Sequence, residues 1–312
     1  MLDEYILVPD VFDPEAYSKP DYADMCLASL KLPLLEEALV RDLRDGGWGA
    51  FCTAHAGTLH RLTKELLKKL RSTNRLRPHP ALLAEQPEDA AGWLAEGIAS
   101  HAAEPVRGII AAHACIDPER SGTEPLVSIE KLTGANWWQS RGPSRTVSRS
   151  LADYGSALLP ILRQANSVMI VDPYLDPSLP NYRDFGLLLE PLAARPRPPI
   201  VELHRCFYYR SGGEIVVPSP DDWRARFAAL DGFLDARGLA ADVFFWNYDH
   251  DRFLISDVFG LSASAGFDVT SDPNAKAIWG RLSAADKDRV QRDFDPAAST
   301  GTYKFRIRIG RS

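Results

Sequence analysis

The sequence predicts an α/β protein in two parts, and three features of its 312 residues carry that prediction. Residues 151–248 alternate short apolar runs with amphipathic stretches of roughly ten to fifteen residues, the rhythm of a sheet layered with helices. Residues 1–125 show apolar residues at helical spacing behind a single leading strand. Between them, 134–148 is polar and rich in Arg, Ser and Gly, the composition of a boundary. A mainly helical α/β N-terminal domain is therefore expected over 1–135, and a mixed sheet flanked by helices over 149–312.

In the first part, Tyr5 to Asp10 reads as a short buried strand ending in an acid, and Pro14 and Pro20 mark a loop. Helices are expected over 27–43, with Glu36 and Glu37 near the middle, and over 58–70, with a basic outer face. Two more are expected over 87–103 and 105–115, with a short strand at 126–129. In the second part a helix over 151–165 leads into the strand 167–172 and the turn Pro173-Tyr174-Leu175-Asp176-Pro177. Helices follow over 185–194 and 221–237, with strands over 200–207 and 242–248. The last strand, 303–309, alternates Tyr303, Phe305, Ile307 and Ile309 with Lys304, Arg306 and Arg308.

Bulk properties narrow the function. Hydrophobic residues at 45% and charged residues at 25% fit a soluble globular protein. The apolar runs are too short for a transmembrane helix, and Leu2-Asp3-Glu4 is unlike a cationic leader. Cys26, Cys52, Cys115 and Cys206 are scattered without a CxxC pair, which argues against a zinc module or a disulfide framework. A reduced, cytoplasmic protein is expected, with no membrane partner. The net charge of −6 means that any polyanion site must be local. Local cations are available in 61–77, at Arg141, Arg145 and Arg149, and at Lys304, Arg306, Arg308 and Arg311. Trp137 and Trp138 beside Arg141 and Arg145 could stack bases or pack between domains.

The sharpest signal is Tyr248-Asp249-His250-Asp251-Arg252-Phe253-Leu254-Ile255-Ser256-Asp257. On an extended strand, side chains two apart share a face. His250 and Arg252 would then project together, with Phe253 and Ile255 turned to a core. Asp257 has the other parity, which suits a turn or buttress. The segment from Gly260 to Gly266 is small and hydroxyl-rich, so Ser262 and Ser264 could meet phosphate oxygens.

These residues resemble the phospholipase D superfamily, whose members carry His-x-Lys, four residues, Asp, and then a small Gly/Ser segment. Here His250-x-Arg252 is followed by four residues, Asp257, Ser262 and Ser264. The run from Ile161 to Tyr174 is similar to the family's helix-to-strand junction, so the likeness spans about one lobe, 151–272. The resemblance implies a phospholipase D-like domain and a metal-independent phosphodiesterase needing no cofactor. His250 would form a phosphohistidine, Arg252 and Asp257 would complete the catalytic set, and Ser262 and Ser264 would hold the phosphate. One motif per chain implies a homodimer, and nucleic acid is the expected substrate, held by Arg141, Arg145, Lys304, Arg306 and Arg308. Arg252 stands where the family has Lys, which favours phosphate binding and leaves turnover open. The alternatives are an inactive module of this kind binding nucleic acid or anionic lipid, and an accessory subunit of a multi-component, phage-defence-like system with a protein partner. The acids Asp249, Asp251, Asp257, Asp268 and Asp272 could instead ligate a divalent cation. In the first part, Asp10, Glu36, Glu37 and Asp117 loosely resemble the acidic set of PIN-type nucleases, beside the expectation of a recognition or dimerisation module.

Overall fold

A computed structural model describes residues 1–116, 125–195, 197–248, 250–298 and 301–311. It is an α/β protein whose chain divides into one unit of Leu2–Gly142 and another of Pro143–Ser312 together with Met1.

The first unit runs β1 (Asp3–Leu7), α1 (Tyr22–Glu36), β2 (Ala38–Asp42), α2 (Leu43–Ala54), α3 (Leu62–Ser72), β3 (Leu76–His79), α4 (Ala90–Ala103), β4 (Gly108–Ala111), β5 (Leu126–Ser128) and α5 (Asn136–Gln139). Its five strands are parallel, in the order β3-β2-β1-β4-β5. Helix outweighs strand in this unit, as expected, but strands also form where only helix was expected. The run 27–43 holds a helix and then the fully buried strand β2, and 105–115 holds β4. Parallel strands covered on both faces are continuously apolar, so they lack the alternation that marks a strand in sequence. On β2, Arg41 is fully buried, and Glu4 accepts from its Nε and Nη2 at 3.0 and 2.9 Å. After β2, Arg44, Asp45 and Gly46 all have positive φ before the α-helical part of α2 begins.

The second unit runs β6 (Ser144–Ser148), α6 (Leu151–Gln164), β7 (Ser167–Val171), α7 (Phe185–Leu189), β8 (Ile200–Cys206), β9 (Tyr209–Ser211), β10 (Glu214–Val216), α8 (Pro220–Asp235), β11 (Ala240–Trp246), β12 (Phe253–Ser256), β13 (Gly260–Ala263), β14 (Lys276–Arg281), α9 (Ala284–Asp293) and β15 (Tyr303–Gly310). Eight strands form one mixed sheet, in the order β15-β11-β8-β7-β12-β13-β14-β6. β7, β8 and β11 are parallel, and β12 runs antiparallel to β7. Helix α8 starts with a capping box between Ser219 and Asp222, and its Trp223 and Phe227 pack on Phe245. The other face carries Met169, Val171, Phe244, Trp246 and Ile255 beneath Val290 and Phe294.

Candidate functional site

In the second unit the carboxyl ends of β7, β8 and β11 share one edge of the sheet. β12 begins at that edge because it runs the opposite way beside β7. Asp172, the first residue past β7, is fully buried. Its Oδ2 accepts from the Phe267 amide and the Tyr182 hydroxyl, both at 2.8 Å, and its Oδ1 accepts from the Tyr174 amide at 3.1 Å. Burial pushes this carboxyl above its usual range, while those three donors and then the charge of Arg252 pull against it. A Cβ at Gly266 would lie 2.6 Å from Asp172 Oδ2 and 2.7 Å from the Tyr182 hydroxyl, so only glycine fits there.

Arg252 sits half-buried beside this carboxylate, its guanidinium 5.1 Å from the centre of the Tyr174 ring. Its Nε is buried without a hydrogen-bond partner, and among the described residues no acceptor is bonded to the guanidinium. The neighbouring Arg205 is different. It is buried on β8, stacks 3.6 Å from Trp223, and donates to the carbonyls of Leu175, Cys206 and Tyr208. Burial lowers its pKa to about 10 against the opposing charge of Asp176. Arg205 holds the strand ends together, and Arg252 remains with donors to offer.

The structure corrects the strand placement of His250. β12 starts at Phe253, and His250 lies on an exposed bend before it. The link from Trp246 to Phe253 must cross β8 and β7, three inter-strand spacings or roughly 14 Å, and so runs across the sheet edge rather than along a ladder. The His250 ring stands edge-on to Tyr248 at 5.9 Å, and Tyr248 packs on Phe294 of the α9 face. Arg252 instead faces Tyr174 and Asp172. Shared projection from one strand face is therefore not observed.

Asp257 lies past the other end of β12, roughly 16 Å along the strand from Arg252. Its carboxylate accepts from the Asn166 amide and Nδ2, each at 2.8 Å, so it buttresses the α6–β7 junction rather than joining a catalytic set. Ser262 pairs with Phe253 and shares that residue's face, away from Arg252. Its hydroxyl donates to Gly280 O at 3.3 Å, and Ser264 Oγ accepts from the Ile278 amide at 2.8 Å. Both hydroxyls are engaged with β14.

The expected nucleic-acid contacts are also dispersed. Arg141 belongs to the first unit, stacks 3.4 Å from Trp138 and pairs with Glu37 at 3.3 Å. Trp137 and Trp138 are buried there beside Tyr5. Arg145 is exposed on β6, at the opposite sheet edge from β15, seven strand spacings or roughly 33 Å away. On β15, Lys304, Arg306 and Arg308 are exposed, with Lys304 over the Phe207 ring and Arg306 and Arg308 turned to Asp242 at 3.8 and 2.8 Å. Within the second unit, Arg145 and the cations of β15 therefore stand at opposite edges of the sheet.

His204 is buried between Phe244 and Trp246, at 4.8 and 5.8 Å. Trp246 Nε1 donates to its Nδ1 at 3.0 Å, which leaves the hydrogen on Nε2. Glu202 lies 3.5 Å from Nε2, too far for a good bond, and burial holds the imidazole pKa below its ordinary value.

In the first unit the strand order places a switch of direction between β1 and β4, the position where open α/β sheets bind ligands. Asp10 lies there, 7% exposed, with neither carboxylate oxygen in a well-formed hydrogen bond. Burial raises its pKa to about 6, against the nearby Ala112 amide and Cys115 thiol. Glu36 and Glu37 close α1 just before β2, at the amino edge of the parallel sheet, so they do not gather with Asp10. Asp117 lies outside the described residues. Among the described residues no three His, Cys, Asp or Glu side chains are placed to hold a metal ion. Of the acidic set of the second unit, Asp268 is paired with Arg149, Asp257 accepts from Asn166, and Asp249 lies outside the described residues.

No protein-family model and no curated protein matches the chain. Among solved structures, the archaeal chromatin protein TrmBL2, described as showing a novel mode of DNA binding, aligns over 78% of this chain and 83% of its own. The identity is 11% and the TM-score 0.30, a likeness too weak to define a shared fold. No helix among the described residues is long and apolar enough to cross a membrane.

Proposed function

We propose that the second unit is a phospholipase D-like module that binds the phosphate backbone of nucleic acid without cleaving it. One observation carries this reading: the Arg252 guanidinium stands at the carboxyl edge of three parallel strands with no bonded acceptor among the described residues. The adjacent Asp172 steadies its charge, but three other donors fill that carboxylate. A planar guanidinium in this state suits a phosphate, which accepts two parallel N–H bonds. Hydrolysis would also require a fixed nucleophile and hydroxyls on the same phosphate. The separation of Asp257, Ser262 and Ser264 from Arg252 argues against that assembly.

The test uses the full chain with labelled single- and double-stranded DNA and RNA, in EDTA, across a salt series. Salt-sensitive binding without cleavage, weakened about tenfold or more in Arg252→Gln, supports the proposal. EDTA-resistant cleavage that disappears in His250→Ala would overturn it. That result would restore the second reading, a phosphohistidine nuclease assembled in a homodimer, which the exposure of His250 favours.

A further inference from the structure

On the other face of the same sheet, beneath the last turns of α9, lies a cavity of about 450 Å³ lined by Trp246, Tyr248, Phe253, Phe294, Asp251 and Asp293 among others. Its volume falls within the range of small-molecule pockets, about 300–1,000 Å³. The rings form walls at right angles: Tyr248 stands edge-on to Phe294 at 5.1 Å and 87°, and Trp246 to the same ring at 5.5 Å and 82°. Trp246 and Phe294 are buried and make the floor, while Tyr248 and Phe253 are half-buried at the rim. Tyr248 is fixed in place by its hydroxyl, which donates to Asp251 Oδ2 at 2.7 Å.

Two carboxylates, Asp251 and Asp293, border these rings, with Arg289 also on the lining and Arg292 in the last turn of α9. Asp293 is the last residue of α9, where the free carbonyls of the helix end already make the potential negative. A carboxylate there is unfavourable for the helix, and among the described residues Asp293 has no ion-pair partner. Asp251 adds a second carboxylate on the facing loop. The cation at the rim, Arg289, is paired with Asp286 at 3.1 Å. Aromatic faces set at right angles, two carboxylates and a helix C-terminus all favour the same ligand. It is a cation with apolar substituents, which trades hydration for ring quadrupoles and diffuse negative charge. This pocket lies on the α9 face of the sheet and is distinct from the Arg252 edge.

We infer that this cavity binds an alkylated ammonium group, the head of a small quaternary amine or the side chain of a methylated lysine. The two sources share one chemistry and are separated by experiment. Calorimetric titration of the full chain compares choline, a short peptide carrying trimethyllysine, and 3,3-dimethylbutanol, which has the shape of choline without its charge. Saturable binding of choline or the peptide is expected, with the neutral isostere at least about tenfold weaker. Tighter binding of the peptide assigns a protein partner, and tighter binding of choline assigns a small molecule. Tyr248→Phe retains binding and Tyr248→Ala loses it. Asp293→Asn, at an exposed position that leaves the fold intact, weakens binding by about threefold to tenfold. Calorimetry reads cation binding directly, so loss of nucleic-acid binding in Arg252→Gln and failure of this inference remain distinguishable. Equal affinity for the neutral isostere, no saturation by either cation, or indifference to Asp293→Asn would each overturn the inference.

Discussion

At the scale of single residues, burial holds two titratable side chains away from their ordinary states, with opposite signs. Asp10 is raised to about 6 because burial removes water that its neighbours replace poorly. Its folded pKa exceeds the unfolded one, so the stability tied to its protonated form is present below about pH 4. That stability is lost as pH rises through 6. Asp10→Asn is therefore expected to stabilise the protein at pH 7 by about 1–2 kcal/mol, with the gain vanishing near pH 4. Chemical denaturation at the two pH values measures this. His204 has the opposite sign, because its folded pKa is lowered. Folding then favours the neutral ring, and stability falls as pH drops below about 6.5, where the unfolded chain takes up the proton. In His204→Phe this acid-side loss should flatten, and melting curves between pH 5 and 8, a window chosen around that value, will show whether it does. Arg252 stands out instead for its guanidinium, which has no bonded acceptor among the described residues.

At the scale of elements, close packing against glycine explains how the first unit holds β4. A Cβ at Gly108 would meet the Trp137 ring at 2.4 Å, and that tryptophan is buried against Tyr5 of β1. Gly108→Ala should cost about 2–3 kcal/mol, since neither the central strand nor the ring has room to yield. A shift of the denaturation midpoint at unchanged slope would show it. The link between β11 and β12 acts similarly on function. Because it crosses two strands, it delivers Arg252 to the edge beside Asp172 and leaves His250 on the bend near Tyr248.

At the scale of the whole molecule, the net charge of −6 predicts weak and local attraction for a polyanion. The candidate cations lie on different elements and, for Arg141, on a different unit. A site built on Arg252 with one or two neighbours should give a log–log salt slope of only about −2 to −3, against about −10 for a protein with an extended phosphate track. Fluorescence anisotropy across a salt series measures the slope, and Arg252→Gln should reduce its magnitude by about 1. A slope steeper than about −6 would require an extended basic surface in place of this local site.

The α/β class and strands β7, β8, β11 and β15 of the second unit were legible in the sequence, because amphipathic helices and bounded apolar strands leave local periodic signals. The alternation over 303–309 likewise appears as packed Ile307 and Ile309 with exposed Lys304, Arg306 and Arg308. The parallel sheet of the first unit was hidden, since strands buried on both faces, such as β2 and β4, share their apolar character with helices. Spacing also could not place the candidate site. Two residues apart implies one face only where a strand exists, and whether His250 lies on a strand depends on how far its loop must travel between β11 and β12. Tertiary structure alone decided that Asp257 supports Asn166, that Ser262 and Ser264 bond to β14, and that Trp246, Tyr248 and Phe294 meet around a cavity. Local periodicity specifies elements, whereas the partners of a side chain are set by sheet order, which joins residues that the sequence keeps far apart.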